Sequence, residues 1–280
     1  MIRVGNFVKE RTQEGLSPAS NDRKCCPFCS SMTIALHWKK VNVWRCSSCG
    51  LLFRNLLQPQ HEVSELYKNS WLNPGMFKNM TGGTDLRLAR IYAQNLASSL
   101  GLRNFVGLKI LDFGAGRGDM LTALSELGAD VYGIEPFGYD YLKNGDFKLF
   151  HTPEEVPEGF LFDGVLMIDI IEHLMTPWDT IMKLYRLLSE NGWFYIATPN
   201  ANSLNAKLFR SHWRELRNVG HIIFFTPDSL ELILAHLGDV CYKRLRWFVQ
   251  YNNDTLRNAI HFLLQLFQLD GELRYLIRKS

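Results

Sequence analysis

The chain has 280 residues, of which 46% are hydrophobic and 21% are charged, and its formal net charge is +3. This composition is typical of a globular protein, and the length suits one large domain with a small accessory module. No apolar run reaches the roughly 20 residues that a membrane-spanning helix needs. Residues 1–20 lack the apolar core of a signal peptide, so we expect a cytoplasmic protein with an N-terminal arm.

Positive charge is concentrated at the start of the chain. Residues 1–60 hold nine Lys or Arg and three Asp or Glu, whereas the remainder carries about −3. A basic module favours an anionic partner such as a nucleotide-sugar, a nucleic acid or a lipid head group. Because these charges are scattered, we favour the interpretation of a solvated, mildly basic face.

Five of the six cysteines lie in residues 21–57. Cys26-Pro-Phe-Cys29 and Cys46-Ser-Ser-Cys49 form two C-x2-C pairs separated by sixteen residues. Two such turns aim four thiolates at one point, which predicts a tetrahedral Zn²⁺ site in a zinc ribbon. Four protein ligands leave no open position for water, so we expect a structural metal. An iron–sulfur centre, or Cys25 in place of Cys26, remains an alternative; a disulfide framework is disfavoured without an export signal.

The remaining sequence predicts an α/β fold. Residues 58–101 form a predicted helical linker or cap, clearest over 84–100, with Thr84 or Asp85 as its cap and Gly101 as its stop. From Leu108 onward, short apolar runs alternate with amphipathic stretches, which is typical of a mostly parallel sheet with helices on both faces. The predicted strands are 109–113, 130–134, 147–150, 162–168, 192–198 and 240–249, and the predicted helices are 118–127, 177–189 and 226–237.

A glycine-rich turn follows the first of these strands. The chain there reads Gly114-Ala115-Gly116-Arg117-Gly118, and a predicted helix begins at its end. Glycines let a backbone approach a ligand closely, and a helix N-terminus presents free amide groups to that ligand. The turn alone would also fit a dinucleotide-dependent dehydrogenase.

Three acidic residues favour a different ligand. The third glycine of the dinucleotide fingerprint would fall at Asp119, and Asp112 ends the first strand ahead of the glycines. The second strand ends in Glu135-Pro136, 19 residues after Gly116. An acid at this position can accept both ribose hydroxyls of an adenosine-containing ligand.

These residues resemble the first two cofactor motifs of the class I S-adenosylmethionine-dependent methyltransferases. The resemblance implies a Rossmann-like methyltransferase domain over residues 102–250 and S-adenosylmethionine as the methyl donor. In that family the loop that corresponds to residues 112–118 wraps the amino-acid part of the donor, and the acid that corresponds to Glu135 holds the ribose. The implied cofactor-binding residues are Asp112, Gly114, Ala115, Gly116, Gly118, Glu135, Pro136, Ile168 and Asp169.

The resemblance continues further along the chain. Residues 162–174, which include Glu172-His173, look like the fourth strand of ubiquinone-pathway-type O-methyltransferases, and residues 187–200 and 220–230 look like later segments of the same branch. With the ribbon in front, the whole resembles methyltransferases of bacterial sugar, surface-polysaccharide or natural-product pathways. The sequence differs from the family pattern in two places. No seventh strand is evident after Val249, and the third strand lacks an acid that could hold the adenine amine.

The predicted reaction is O-methylation of a small-molecule or saccharide acceptor. A base that removes the hydroxyl proton adds roughly 10²–10⁴-fold to such a rate, and His173 and His221 are the catalytic candidates. Each histidine could instead cap a turn or bond within the core. Enzymes that methylate the exocyclic amines of nucleic-acid bases typically carry an Asn/Asp-Pro-Pro motif after the fourth strand. This sequence has Ile168-Asp169 at that position and lacks the motif, so a nucleic-acid acceptor is not favoured. An RNA methyltransferase that grips its substrate with the ribbon, and a non-catalytic binding protein, are the alternatives.

Residues 251–280 predict a C-terminal helical extension. Its apolar side chains exceed what one narrow helical face requires. Docking on the sheet, a homodimer contact and contact with a membrane surface are all consistent with this excess, and the first two are favoured.

Overall fold

The computed structural model describes residues 25–54, 85–247 and 255–279, except positions 144, 146, 239 and 268. The N-terminal arm and most of the predicted helical linker lie outside these residues. No helix in the described part of the chain combines the length and the apolarity needed to cross a bilayer.

The described residues form two sheets and seven α-helices. The strands are β1 (Ile34–Trp38), β2 (Val43–Cys46), β3 (Leu52–Arg54), β4 (Lys109–Phe113), β5 (Asp130–Ile134), β6 (Lys148–Phe150), β7 (Phe162–Ile168), β8 (Leu188–Pro199), β9 (Ile223–Phe224), β10 (Val240–Arg244) and β11 (Glu272–Lys279). The helices are α1 (Leu86–Leu100), α2 (Asp119–Glu126), α3 (Tyr139–Leu142), α4 (Pro177–Arg186), α5 (Leu204–Phe209), α6 (Pro227–Leu234) and α7 (Thr255–Leu266).

The larger sheet has seven strands in the order β6-β5-β4-β7-β8-β11-β10. The five strands from β6 to β8 are parallel to one another, and β11 runs antiparallel to both β8 and β10. The predicted mostly parallel sheet is therefore confirmed. Strand β8 begins at Leu188 rather than 192, and β10 ends at Arg244 rather than 249.

Helices cover both faces of this sheet, as predicted. Phe194 and Tyr195 are consecutive in β8 and fully buried, yet they belong to different hydrophobic clusters on opposite faces. Helices α4 and α6 pack on the Phe194 face, and α1 and α2 pack on the Tyr195 face. A parallel sheet buried on both faces needs apolar residues at consecutive positions, which explains the unbroken apolar runs in its strands.

Helix α1 begins and ends at the predicted signals. The Asp85 carboxylate accepts a hydrogen bond of 2.8 Å from the Leu88 amide, so Asp85 is the N-cap. Gly101 ends the helix in the left-handed conformation, with φ +76°. These local signals are enough to predict both ends of α1, because each cap forms hydrogen bonds only with residues in the adjacent helical turn.

The prediction of a helical extension over 251–280 is wrong in its second half. Helix α7 is present, but Glu272–Lys279 forms the seventh strand, which the sequence did not reveal. Residues 273–277 are buried at every position, so no alternation marks them as a strand. Within this strand, the Arg274 side chain is buried and forms ion pairs with Asp270 and Glu272.

The cysteine-rich segment, predicted as a module in front of the domain, pairs with a strand from later in the chain. Strands β1, β2 and β3 form an antiparallel sheet whose fourth strand is β9, with Leu52 opposite Phe224 and Phe53 opposite Ile223. Leu51 and Phe53 share a buried cluster with Ile223 and the α4 face of the large sheet. We call residues 25–54 the ribbon.

Strand β11 generates a stability prediction. Ile277 is fully buried and lies opposite Phe194 of β8 and Tyr242 of β10. We expect Ile277→Ala to lower the free energy of unfolding by about 2–5 kcal/mol, because it leaves a cavity inside the sheet. The neighbouring Arg278→Ala, at an exposed position, should change it by no more than about 0.5 kcal/mol. Urea denaturation measures both, and equal losses would contradict the strand assignment.

Candidate active site

The predicted site residues meet at one edge of the large sheet. The loops that follow β4, β5 and β7 carry Gly114–Gly118, Glu135 and Asp169–His173, and all three strands end at this edge. In open parallel sheets, ligands bind at the carboxyl ends of the strands. They bind in the crevice that forms where the chain leaves two neighbouring strands toward opposite faces of the sheet. Strand β4, between β5 and β7, lies at such a point.

The glycine-rich turn after β4 is tightly held yet open on one side. The Gly114 amide donates to the Ile134 carbonyl over 2.8 Å, and a Cβ on Gly114 would lie 2.1 Å from Cδ1 of Ile170. Gly116 also has a left-handed φ of +54°, but a Cβ there would find no atom closer than 3.9 Å. The turn thus requires glycine for its conformation and leaves space beside Gly116 that a ligand could fill.

The Glu135 carboxylate is fixed against this turn. Oε2 accepts a hydrogen bond of 2.9 Å from the Gly116 amide, and Oε1 accepts bonds of 3.0 and 3.1 Å from the Phe137 and Gly138 amides. Burial raises the pKa of this carboxyl, although the three amide donors oppose the increase. Because Oε2 has only one of these bonds, it can accept another from a ligand hydroxyl. The adjoining Pro136 is exposed.

Asp112 is the second buried acid of the predicted site. It lies in β4 opposite Gly133 of β5 and Leu166 of β7, and only 4% of its surface is exposed. Burial, together with the charge of Glu135, raises its pKa to about 7. A cation bound nearby would favour the ionised carboxylate.

Asp169 follows Ile168 at the end of β7. Its φ of +53° is in the left-handed region, which aspartate tolerates better than most residues, and its amide donates to the Ala197 carbonyl over 3.0 Å. Asp169 is solvent-exposed, although protein atoms surround its carboxyl group closely enough to affect its pKa. The surrounding protein, and then the charges of Glu272 and Glu215, raise its pKa, and solvent access weakens that effect.

The structure brings the two predicted catalytic histidines together around Glu172. Glu172 Oε1 lies 3.9 Å from Nε2 of His173 and 3.9 Å from Nε2 of His221. The imidazole rings cross nearly edge to face, with centroids 4.5 Å apart. We call these three residues the Glu–His–His group.

Burial disfavours the charged form of each member of this group. Loss of hydration lowers the pKa of His173 to about 4 and that of His221 to about 2, and it raises the pKa of Glu172. The Nδ1–H of His173 donates to the Gly220 carbonyl over 2.9 Å, which leaves the lone pair on Nε2. A neutral imidazole held in this tautomer can accept a proton at neutral pH.

Several polar partners of this group were not predicted. The Thr198 hydroxyl donates to Glu172 Oε2 over 2.8 Å, whereas Glu172 Oε1 is buried without a hydrogen-bond partner. Glu215 Oε2 lies 3.7 Å from Nδ1 of His221. In the sequence, Glu172 stands out beside His173 but has no predicted role in the site, and no local signal marks Glu215. The ligand-type atoms of the Glu–His–His group lie within 4.8 Å of one another, a spacing that suits a shared proton or a shared cation.

The four predicted metal ligands also converge. The sulfur atoms of Cys26 and Cys49 are 3.6 Å apart, those of Cys29 and Cys46 are 3.5 Å apart, and all four lie within 4.8 Å of one another. Sulfurs bound about 2.3 Å from one tetrahedral Zn²⁺ lie about 3.8 Å apart, so the spacing fits. Cys25 is not in this group.

Residues 85–239 match the model of a family described as a methyltransferase domain, and this segment is more than half of the chain. The chain belongs to this methyltransferase family. The ubiquinone biosynthesis O-methyltransferase of Chelativorans sp. (strain BNC1) is 28% identical in an alignment 198 positions long, which covers 62% of this chain and 77% of that protein. The mitochondrial enzyme of that name from Arabidopsis thaliana is 27% identical in an alignment 216 positions long, which covers 67% of this methyltransferase and 64% of its relative.

Solved methyltransferase structures share the fold. The plantazolicin methyltransferase BpumL, in complex with SAH, matches with a TM-score of 0.52 and 20% identity, over 79% of this chain and 98% of its own. An Archaeoglobus fulgidus SAM-dependent methyltransferase matches with a TM-score of 0.50 and 21% identity, over 74% of this chain and 100% of its own. The predicted fold class and the predicted enzyme class, a SAM-dependent methyltransferase, are confirmed. The roles of individual site residues stay predictions.

Proposed function

We propose that this methyltransferase transfers the methyl group of S-adenosylmethionine to a hydroxyl oxygen of a small-molecule or saccharide acceptor. The observation that carries the proposal is the arrangement at the edge of the sheet. An open glycine turn tied to a buried acid lies beside β4, and Glu172 and His173 of the Glu–His–His group follow β7, the next strand in the sheet. The first arrangement suits a nucleoside with an amino-acid tail, and the second suits removal of a hydroxyl proton.

The donor site would use the turn after β4 and the two acids beside it. Oε2 of Glu135 would accept a ribose hydroxyl, and the space beside Gly116 would admit the amino-acid part. Asp112, with its raised pKa, would ionise when the donor's ammonium group binds nearby. The bound S-adenosylmethionine supplies an electrophilic methyl group on a sulfonium.

The acceptor side would be completed by the Glu–His–His group and Asp169. Methyl transfer is an in-line displacement, so much of the rate can come from holding the two reactants in position. As the new oxygen–carbon bond forms, the carbon–sulfur bond of the donor would break and leave S-adenosylhomocysteine. The acceptor hydroxyl would lose its proton, and a neutral histidine would take it. Asp169, at the end of β7, would orient the acceptor. The curated relatives, whose names specify O-methyltransferases, support oxygen as the acceptor atom.

Glu135→Ala tests the donor site. The substitution removes the acceptor of three backbone amides and of the proposed ribose contact, so we expect Kd for S-adenosylhomocysteine to rise about tenfold or more. Asp130→Ala is the matched control, because Asp130 lies at the opposite end of β5 and pairs with an exposed Lys148. Titration calorimetry measures both. An unchanged Kd in Glu135→Ala would show that the ribose site lies elsewhere.

His173→Gln and His221→Gln test the acid–base role. If either histidine is the base, its substitution should lower kcat about 10²–10⁴-fold while Kd for S-adenosylhomocysteine stays constant. Because both pKa values are lowered, the acid limb of kcat against pH should lie below pH 6. The assay is labelled-methyl transfer against a panel of saccharides, phenols and RNA, with the exposed His212→Gln as control. Full activity of both variants would contradict the proposal.

We also propose that the four cysteines hold a structural Zn²⁺. The thiols do not share one pKa: the hydrogen bond from Cys49 lowers the pKa of Cys26 to about 5, whereas burial raises that of Cys29 to about 11. Four thiols so close to one another cannot all ionise unless a cation offsets their charge. Four sulfur ligands leave no position for a reactive water, so the ion would stabilise the ribbon.

Metal analysis of the purified protein tests this assignment. We expect one zinc per chain in the wild type and in Cys25→Ser, and less than a tenth of that in Cys46→Ser, because Cys46 is a fully buried member of the quartet. Inductively coupled plasma spectrometry gives the stoichiometry. Iron with visible absorbance, or full zinc in Cys46→Ser, would contradict the assignment.

A further inference from the structure

Arg54, the last residue of β3, is the point where the ribbon reaches the loop before β9. Its backbone amide donates to the Ile222 carbonyl over 2.8 Å. Its Nη2 donates to the Leu216 carbonyl over 2.5 Å and to the Asn218 carbonyl over 3.4 Å. The guanidinium also lies 5.8 Å from the centroid of the Phe224 ring. One half-buried side chain thus binds a loop more than 160 positions away in the sequence.

The same loop carries the histidines' backbone contacts. The Asn218 carbonyl that accepts from Arg54 also accepts from the His221 amide, over 3.2 Å. Two residues on, the Gly220 carbonyl accepts the Nδ1–H of His173. The Ile222 amide donates to the backbone carbonyl of Glu172 over 2.8 Å. Residues 216–222 therefore lie between Arg54 on one side and the Glu–His–His group on the other.

The chemistry of Arg54 suits this position. Leu216 and Asn218 lie at the end of a short 3-10 helix, where carbonyl groups lack partners within the helix and carry partial negative charge. The one nitrogen Nη2 contacts both carbonyls, and the rigid guanidinium plane fixes the directions of its two N–H groups. A lysine at this place would offer a positive charge without that planar set of donors.

We propose that Arg54 is a positioning residue for methyl transfer: the ribbon, through Arg54 and the β3–β9 pairing, holds residues 216–222 so that His221 and His173 face Glu172. This inference rests on the proposed function, because it matters for catalysis only if the two histidines serve the reaction. It gives the ribbon a role inside the active site. A module tethered by a linker to capture substrate would need no such contacts.

Histidine NMR on the full chain tests the inference without any acceptor. The ribbon supplies a matched control, because Arg45 lies on β2 beside His37 and its charge acts on that imidazole. Full-length protein with ¹⁵N-labelled histidine is compared as wild type, Arg54→Met, Arg54→Lys and Arg45→Met. Histidine-to-glutamine variants assign the ring signals of His37, His173 and His221.

We expect reciprocal results from the two methionine variants. Arg54→Met should shift the ring signals of His173 and His221 and leave that of His37 in place, whereas Arg45→Met should do the reverse. Arg54→Lys should give an intermediate shift, since it restores the charge. Amide hydrogen exchange in residues 216–222 should also become about tenfold faster in Arg54→Met, because a charged donor is lost.

Two outcomes would overturn the inference. One is wild-type signals for His173 and His221 in Arg54→Met; the other is an equal disturbance of them by Arg45→Met, which would indicate a general loosening of the ribbon. If Arg54→Met does not fold, the comparison of Arg54→Lys with the wild type tests the inference. Unshifted ring signals of His173 and His221 in Arg54→Lys would then overturn it. Calorimetry of S-adenosylhomocysteine binding to the wild type separates the proposed function from the role of Arg54. Absence of binding would contradict the proposed function, whereas the NMR comparison would still test whether Arg54 positions the histidines.

Discussion

The parallel pairing of β4 with β5 on one side and β7 on the other is the constraint on which the site depends. It places the ends of three strands at one edge, so that the loops after them meet although they are separated in sequence. It also presents the Ile134 carbonyl to the amide of Gly114, which anchors the glycine turn to the end of β5. Glu135, the next residue, can then bind Gly116. The proposed donor site follows from this register.

The proposed acceptor side depends on a second and more distant pairing. Glu172 and His173 follow β7, but His221 comes from a loop held by the ribbon through β3 and β9. The buried Glu–His–His group needs this support, because its members lose their hydration while Glu172 Oε1 and His221 Nδ1 are buried without a hydrogen-bond partner. The ribbon and the methyltransferase domain thus share one structural unit around these histidines.

Features with local physical causes could be predicted from the sequence. The cysteine spacing, the glycine turn and the caps of α1 each depend on neighbouring residues, and the structure brings each set together. Features that depend on long-range contacts could not be predicted. Strand β11 is buried on both faces and so lacks alternation, and Arg54 contacts a loop more than 160 positions away. The acid Glu172 lay beside a predicted histidine, but its link to His221 exists only in the folded chain.

A crystal structure of this protein with S-adenosylhomocysteine is the most direct test of the account. The account predicts that the ribose hydroxyls bind Glu135, that the amino-acid part lies along residues 112–118, and that the sulfur faces Asp169 and the Glu–His–His group. A ligand bound at another edge of the sheet, or a sulfur that faces away from the two histidines, would contradict it.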